Sequence, residues 1–276
     1  MGGWLHKLVH MTTIQFAPVN GIRMAYRIDG LKDAPVVMLC NSLMSTLAMW
    51  EPQMPALLER YCVIRYDTRG HGQTETTPGP YSIELLADDT AALIDHIGLG
   101  PVHFVGLSMG GMVGQQLAVR NPDKVLSLSL CDTASEMPTR AMWEDRFTTA
   151  RAEGVAGLVE GTIKRWFVGS FIEREPAQIA WVRQFILDTK AEGYIACGSA
   201  VRDMSQTHIL SSIAKPTQII VGRDDPACTL AASEVLHAEI PGSVLFVIDD
   251  AAHLSNIEKP EQFNRLLINF IDGVKT

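Results

Sequence analysis

Residues Val102–Gly114 read V-H-F-V-G-L-S-M-G-G-M-V-G, and within them Gly106-Leu107-Ser108-Met109-Gly110 sets a serine where a short apolar run ends. A Gly-x-Ser-x-Gly segment between a strand and a helix makes a turn so tight that the serine hydroxyl stands exposed above a sheet. The glycines answer a steric need. Side chains at 106 and 110 would collide across the turn, and glycine tolerates strained backbone. Gly111 and Gly114 extend a small-residue face along the helix that follows. The chemistry implied is nucleophilic attack by Ser108, which requires a base within hydrogen-bond reach and a third group to orient it.

Eight histidines are candidates for the base: His6, His10, His71, His96, His103, His208, His237 and His253. His96 and His237 fall in helical patterns, and His103 lies in the strand before the serine. His253 differs: it follows the last strand-like run, Val244–Ile248, and precedes the final helix. Loops beyond the carboxyl ends of parallel strands gather at one edge of the sheet, where Ser108 also emerges. In enzymes built on such an elbow the acid lies between serine and histidine in the chain. Asp225, just past the run Thr217–Val221, is the first choice on that order. Asp224 beside it and Asp132, at the end of Leu126–Leu130, are the alternatives. An oxyanion needs two backbone N–H donors, expected at Met109 and at Leu43 in the loop Asn41–Ser45.

These groups must be carried by a scaffold, and the patterning supplies one. Strand-like runs alternate with helical ones, as in a largely parallel sheet covered on both faces. Ile14–Phe16 and Ile22–Ile28 read as an antiparallel opening that turns at Asn20-Gly21. Val36–Cys40, Cys62–Tyr66, Val102–Val105, Leu126–Leu130, Thr217–Val221 and Val244–Ile248 read as buried strands, eight in all. Helical patterns cover Met49–Leu58, Ile83–Ile97, Met109–Arg120, Ala231–Ile240 and Pro260–Ile271. Between Ser135 and Ser212 only helical patterning occurs, over a span too long for a loop. The reading is a disordered extension at 1–11, an α/β core at 12–134 and 213–276, and an inserted helical cap at 135–212. Arg140, Trp143 and Trp166 of the cap are the expected substrate contacts, with Arg146, Arg165 and Arg202 as further carboxylate-binding candidates.

The chain has 276 residues, 47% hydrophobic and 20% charged, which is ordinary for a globular enzyme. A formal charge of -8 argues against nucleic acid and anionic membrane surfaces as partners. The five cysteines are odd in number and none has C-x-x-C spacing, which suggests a reducing compartment with neither disulfide framework nor zinc site. No signal-peptide pattern or bilayer-length apolar run is present, so the expected location is cytoplasmic.

Taken together, Asn41-Ser42-Leu43, Asp67-Thr68-Arg69-Gly70-His71-Gly72, Gly79-Pro80-Tyr81-Ser82, Gly106-Leu107-Ser108-Met109-Gly110-Gly111-Met112 and Ala251-Ala252-His253-Leu254-Ser255-Asn256 resemble the α/β-hydrolase fold. Within it they look most like the 3-oxoadipate enol-lactonases of aromatic catabolism, and Arg165-Trp166-Phe167 with Ala200–Met204 extends the likeness into the cap. The resemblance implies a mostly parallel eight-stranded sheet, with Ser108 as nucleophile, Asp225 as acid and His253 as base. It implies hydrolysis of a small lactone or ester through an acyl-enzyme, without cofactor or metal. A broad carboxylesterase, a C–C bond hydrolase or a non-catalytic receptor on the same fold are the alternatives. The expected partner is a small-molecule ester or lactone, and a homo-oligomer is compatible with the sequence. Three positions depart from the lactonase pattern: Met44 replaces a usual Gly, Asp132 an Asn, and Glu136 a basic residue.

Overall fold

In the computed structural model, which describes residues 8–10, 13–137 and 140–275, the first hairpin pairs β2 (Gln15–Val19) with β3 (Ile22–Leu31). Asn20 (φ 42°) and Gly21 (φ 75°) make its two-residue turn, the positive-φ pair that matches the twist of antiparallel strands. β4 (Val36–Cys40), β5 (Cys62–Tyr66), β6 (Val102–Leu107), β7 (Val125–Cys131), β8 (Thr217–Gly222) and β9 (Val244–Ile248) form the parallel part, in the order β5-β4-β6-β7-β8-β9. β4 to β8 are buried along nearly their whole length, as strands covered on both faces must be.

The sheet has nine strands, not eight. Leu8–His10, assigned to a disordered extension from sequence, is β1 and pairs antiparallel with the far half of β3, Val9 opposite Gly30. β3 is ten residues long and β2 covers one edge of it only as far as Tyr26, so an open edge is left for β1 to fill. Residues 1–7 and 11 lie outside the described residues.

Helices follow the expected alternation: α1 (Met54–Leu57), α2 (Ile83–Ile97), α3 (Met109–Arg120), then, after the segment between β7 and β8, α9 (Leu230–Glu239), α10 (Ser255–Glu258) and α11 (Pro260–Gly273). The helix expected at 49–58 is broken. Leu47–Gln53 is 3₁₀ with Pro52 inside it, and only Met54–Leu57 is α-helical. Proline removes a donor and clashes with the preceding turn, which explains the break. Between β7 and β8 run α4 (Arg140–Glu153), α5 (Val159–Trp166), α6 (Gly169–Arg174), α7 (Pro176–Leu187) and α8 (Ala191–Asp203), with no named strand among them. No helix among the described residues is long and apolar enough to cross a membrane.

Candidate active site

Ser108 follows β6 with φ 55° and ψ -117°, a strained conformation at the N-terminus of α3. The turn holds because its glycines permit it. A Cβ at Gly106 would meet the Gly110 carbonyl oxygen at 2.1 Å, and one at Gly110 would meet the Cys40 carbonyl oxygen at 2.2 Å. The collision across the turn is therefore real for Gly106, whereas Gly110 is required by the neighbouring strand β4. The Ser108 amide donates to the Cys131 carbonyl at 2.9 Å and its carbonyl accepts from Thr133 Oγ1 at 2.7 Å, so β7 braces the strained residue.

His253 and Asp225 are brought together. His253 Nδ1 lies 2.8 Å from Asp225 Oδ2, and both residues are buried. The other carboxylate oxygen, Oδ1, accepts from the Ala227 amide at 2.7 Å and the Cys228 amide at 3.0 Å. Asp224 is exposed and makes no contact with the imidazole. The helix after it starts at Leu230 with Thr229 as its cap. Asp132 is buried but serves elsewhere: its oxygens accept from the Gly222 amide at 2.8 Å and from the Ser255 hydroxyl at 2.6 Å. It thereby ties together the two loops that present Asp225 and His253. Burial and, secondarily, the nearby Asp225 push the Asp132 carboxyl well above the usual carboxylate range.

Ser108, His253, Leu43, Trp143 and Trp166 line one cavity of about 240 Å³, with Arg146, Arg165, Glu136 and Met44 also in its wall. An apolar cavity of about 150 Å³ already holds a benzene, so this one suits a small molecule. Met109 is the first residue of α3, and amides of a helix's first turn have no intrahelical acceptor. The Leu43 amide has no protein acceptor among the described residues. Its loop is nonetheless held firmly: Asn41 Nδ2 donates to the Tyr66 carbonyl, Trp50 Nε1 donates to Asn41 Oδ1, and the Met44 amide donates to His71 Nε2 at 3.0 Å. Burial lowers His71 to about 4, keeping it neutral and able to accept that bond. The turn Asp67–Gly72 thus acts as scaffold for the neighbouring loop. Asp67 accepts the Leu47 and Gln73 amides, and Arg69 forms a buried two-point pair with Asp89 at 2.6 and 2.7 Å.

Of the expected cap contacts, Trp143 and Trp166 reach the cavity and Arg140 does not. Arg140 is 72% exposed and pairs with Asp203 at 2.6 Å, so its charge is spent at the surface. Arg202 is likewise held outside, by Glu144 and Asp203. Arg146 and Arg165 are the ones that line the cavity. Arg146 Nε donates to Tyr194 Oη at 2.8 Å, Arg165 only to Thr162 Oγ1 at 3.4 Å, and neither has a carboxylate partner among the described residues. Burial and the neighbouring Arg146 lower the Arg165 guanidinium to about 10. The Trp143 indole N–H is buried without an acceptor among the described residues. Sequence reasoning missed Cys228, which lines the same cavity as Ser108. It reads as a small apolar residue, and only folding brings it to the serine's cavity.

The chain belongs to the α/β-hydrolase fold family, whose model matches residues 35–260. It is 35% identical to 3-oxoadipate enol-lactonase 2 of Acinetobacter baylyi over 243 residues, covering 88% of this chain and 91% of that one. Its structure superposes on the crystal structure of the enol-lactonase from Burkholderia xenovorans with a TM-score of 0.91 and 38% identity, across 94% of this chain and all of that one. A thermophilic esterase from Thermogutta terrifontis is similar at 30% identity, with a TM-score of 0.88, over 96% of this chain and all of that one.

Proposed function

We propose that this chain hydrolyses a small carboxylate-bearing lactone, 3-oxoadipate enol-lactone being the specific substrate, through a Ser108 acyl-enzyme. Ser108 Oγ attacks the ring carbonyl while His253 Nε2 takes its proton. Asp225 holds the opposite nitrogen and stabilises the imidazolium. The Leu43 and Met109 amides receive the oxyanion. Collapse of the tetrahedral intermediate opens the ring and expels an enolate, which takes the proton back from the His253 imidazolium and so restores the neutral base. His253 then activates a water that releases the acid, and the freed enol tautomerises to a ketone.

One observation carries the reading: His253, held by Asp225, and Ser108 share a cavity with two arginines that have no acidic partner among the described residues. Two guanidiniums side by side are mutually repulsive, and a substrate carboxylate relieves that repulsion with charge-assisted bonds. The unpartnered Trp143 N–H offers a further donor to the same anion. Glu136 in the cavity wall favours a second reading, a broad carboxylesterase acting on neutral esters. Steady-state hydrolysis of 3-oxoadipate enol-lactone beside p-nitrophenyl acetate, with Ser108→Ala as control, separates the two. Ser108-dependent preference for the lactone is the expected result; cleavage of the simple ester alone would replace the first reading with the second.

A further inference from the structure

The cap meets the His253 loop at residues 166–168, and a carboxylate lies between them. Glu258, the last residue of α10 and 5% exposed, accepts the Val168 amide on Oε1 at 2.7 Å and the Ala252 amide on Oε2. Val168 belongs to the cap, and Ala252 immediately precedes His253. The Leu254 amide returns the connection by donating to the Trp166 carbonyl at 3.1 Å. Between these ties the Trp166 ring lies over the His253 imidazole, with centroids 6.4 Å apart and planes tilted by 31°. From below, α10 is fixed: Gln53 Nε2 donates to the Asn256 carbonyl, and Asn256 Nδ2 donates to the Met49 carbonyl. Glu258 is therefore a buried, firmly mounted acceptor bridging the cap to the loop of the base.

We infer that Glu258 is a positioning residue acting through His253: its carboxylate couples the seating of the cap strip to the placement of the imidazole, and its protonation uncouples them. The inference rests on His253 serving as base. Only the ionised carboxylate offers acceptor lone pairs freely on both oxygens, and a protonated one gives up an acceptor site to the O–H. The charged groups facing it are Lys259 on its own turn, Asp224 on the loop after β8, and Asp132 at the end of β7. Burial raises the Glu258 carboxyl to about 7, the two amides and Lys259 oppose that rise, and Asp224 adds to it. The coupling is thus complete above that pH and fades as pH falls through it.

The test is hydrogen exchange of the segments 164–170 and 250–256 in the whole chain, in wild type, Glu258→Gln and Glu261→Gln as an exposed control, at about pH 6 and about pH 8 after correction for intrinsic rates. Glutamine can accept only one of the two amides. Glu258→Gln is expected to accelerate exchange in both segments by roughly tenfold or more at the higher pH. Wild type is expected to accelerate on moving to the lower pH, and Glu258→Gln to lose that response. On p-nitrophenyl acetate the same variant should lower kcat with KM little changed. Unchanged exchange in Glu258→Gln, or a pH response that survives the substitution, overturns the inference. If the variant does not fold, the wild-type pH response decides alone: its absence overturns the coupling. Wild type inactive on both substrates would sink the functional reading while leaving the exchange result to be read separately.

Discussion

Replacing Asp225 by asparagine is the sharpest perturbation of the proposed mechanism, because the surrounding bonds dictate how the new side chain must sit. The Ala227 and Cys228 amides donate to Asp225 Oδ1, so an asparagine must place its carbonyl oxygen there and turn its NH₂ toward His253. That NH₂ can only donate, which forces His253 Nδ1 to be unprotonated and moves the proton to Nε2. Nε2 is the nitrogen that must accept the Ser108 proton, so the base is blocked while the fold is kept. A tautomer error of this kind costs about 10⁴-fold in kcat, which corresponds to roughly 5 kcal/mol of barrier. Asp224→Asn, at an exposed residue with no contact to the imidazole, should stay within about twofold. Asp132→Asn still offers an oxygen to the Gly222 amide and an NH₂ to Ser255, and should stay within roughly tenfold. The assay is p-nitrophenyl acetate hydrolysis with circular dichroism to establish folding. If Asp225→Asn remained near wild type while Asp132→Asn collapsed, the acid would be Asp132 and the argument from bond pattern would fail.

Arg165→Met should raise KM for a carboxylate-bearing lactone by about ten- to a hundredfold, the worth of one charge-assisted bond, and leave KM for p-nitrophenyl acetate nearly unchanged; equal effects on both substrates would refute the arginine's role. His71 is held at about 4 against an ordinary 6.5, so its neutral form stabilises the fold fully above pH 6.5, and about 3 kcal/mol is lost as pH falls from there to about 4. Urea unfolding of His71→Gln over that range should show a shallower loss than wild type; parallel curves would contradict it. Gly110→Ala pushes a methyl into the Cys40 carbonyl at 2.2 Å and should yield unfolded or inactive protein, as judged by solubility and thermal melting. A well-folded, active Gly110→Ala would show that β4 and the elbow can separate.

The sequence by itself determined what is local. The Gly-x-Ser-x-Gly turn, the alternation that makes a parallel sheet, and the helices 83–97 and 109–120 follow from short-range sterics and periodicity, and the structure agrees with them residue by residue. The expected meeting of Asp225 and His253 was legible too, because chain order in a parallel sheet fixes which loops share an edge. What tertiary structure alone decided is which long side chains reach the cavity. Arg140, Arg146, Arg165 and Arg202 are alike as cap residues in a helical pattern, yet two are neutralised at the surface and two face Ser108 across the cavity. The β1 strand depended on an open edge of β3 that no local pattern marks. The Glu258 bridge and the placing of Cys228 in the Ser108 cavity likewise join segments distant in sequence. Such contacts depend on how elements pack and which backbone groups are left seeking partners, and no spacing along the chain encodes that.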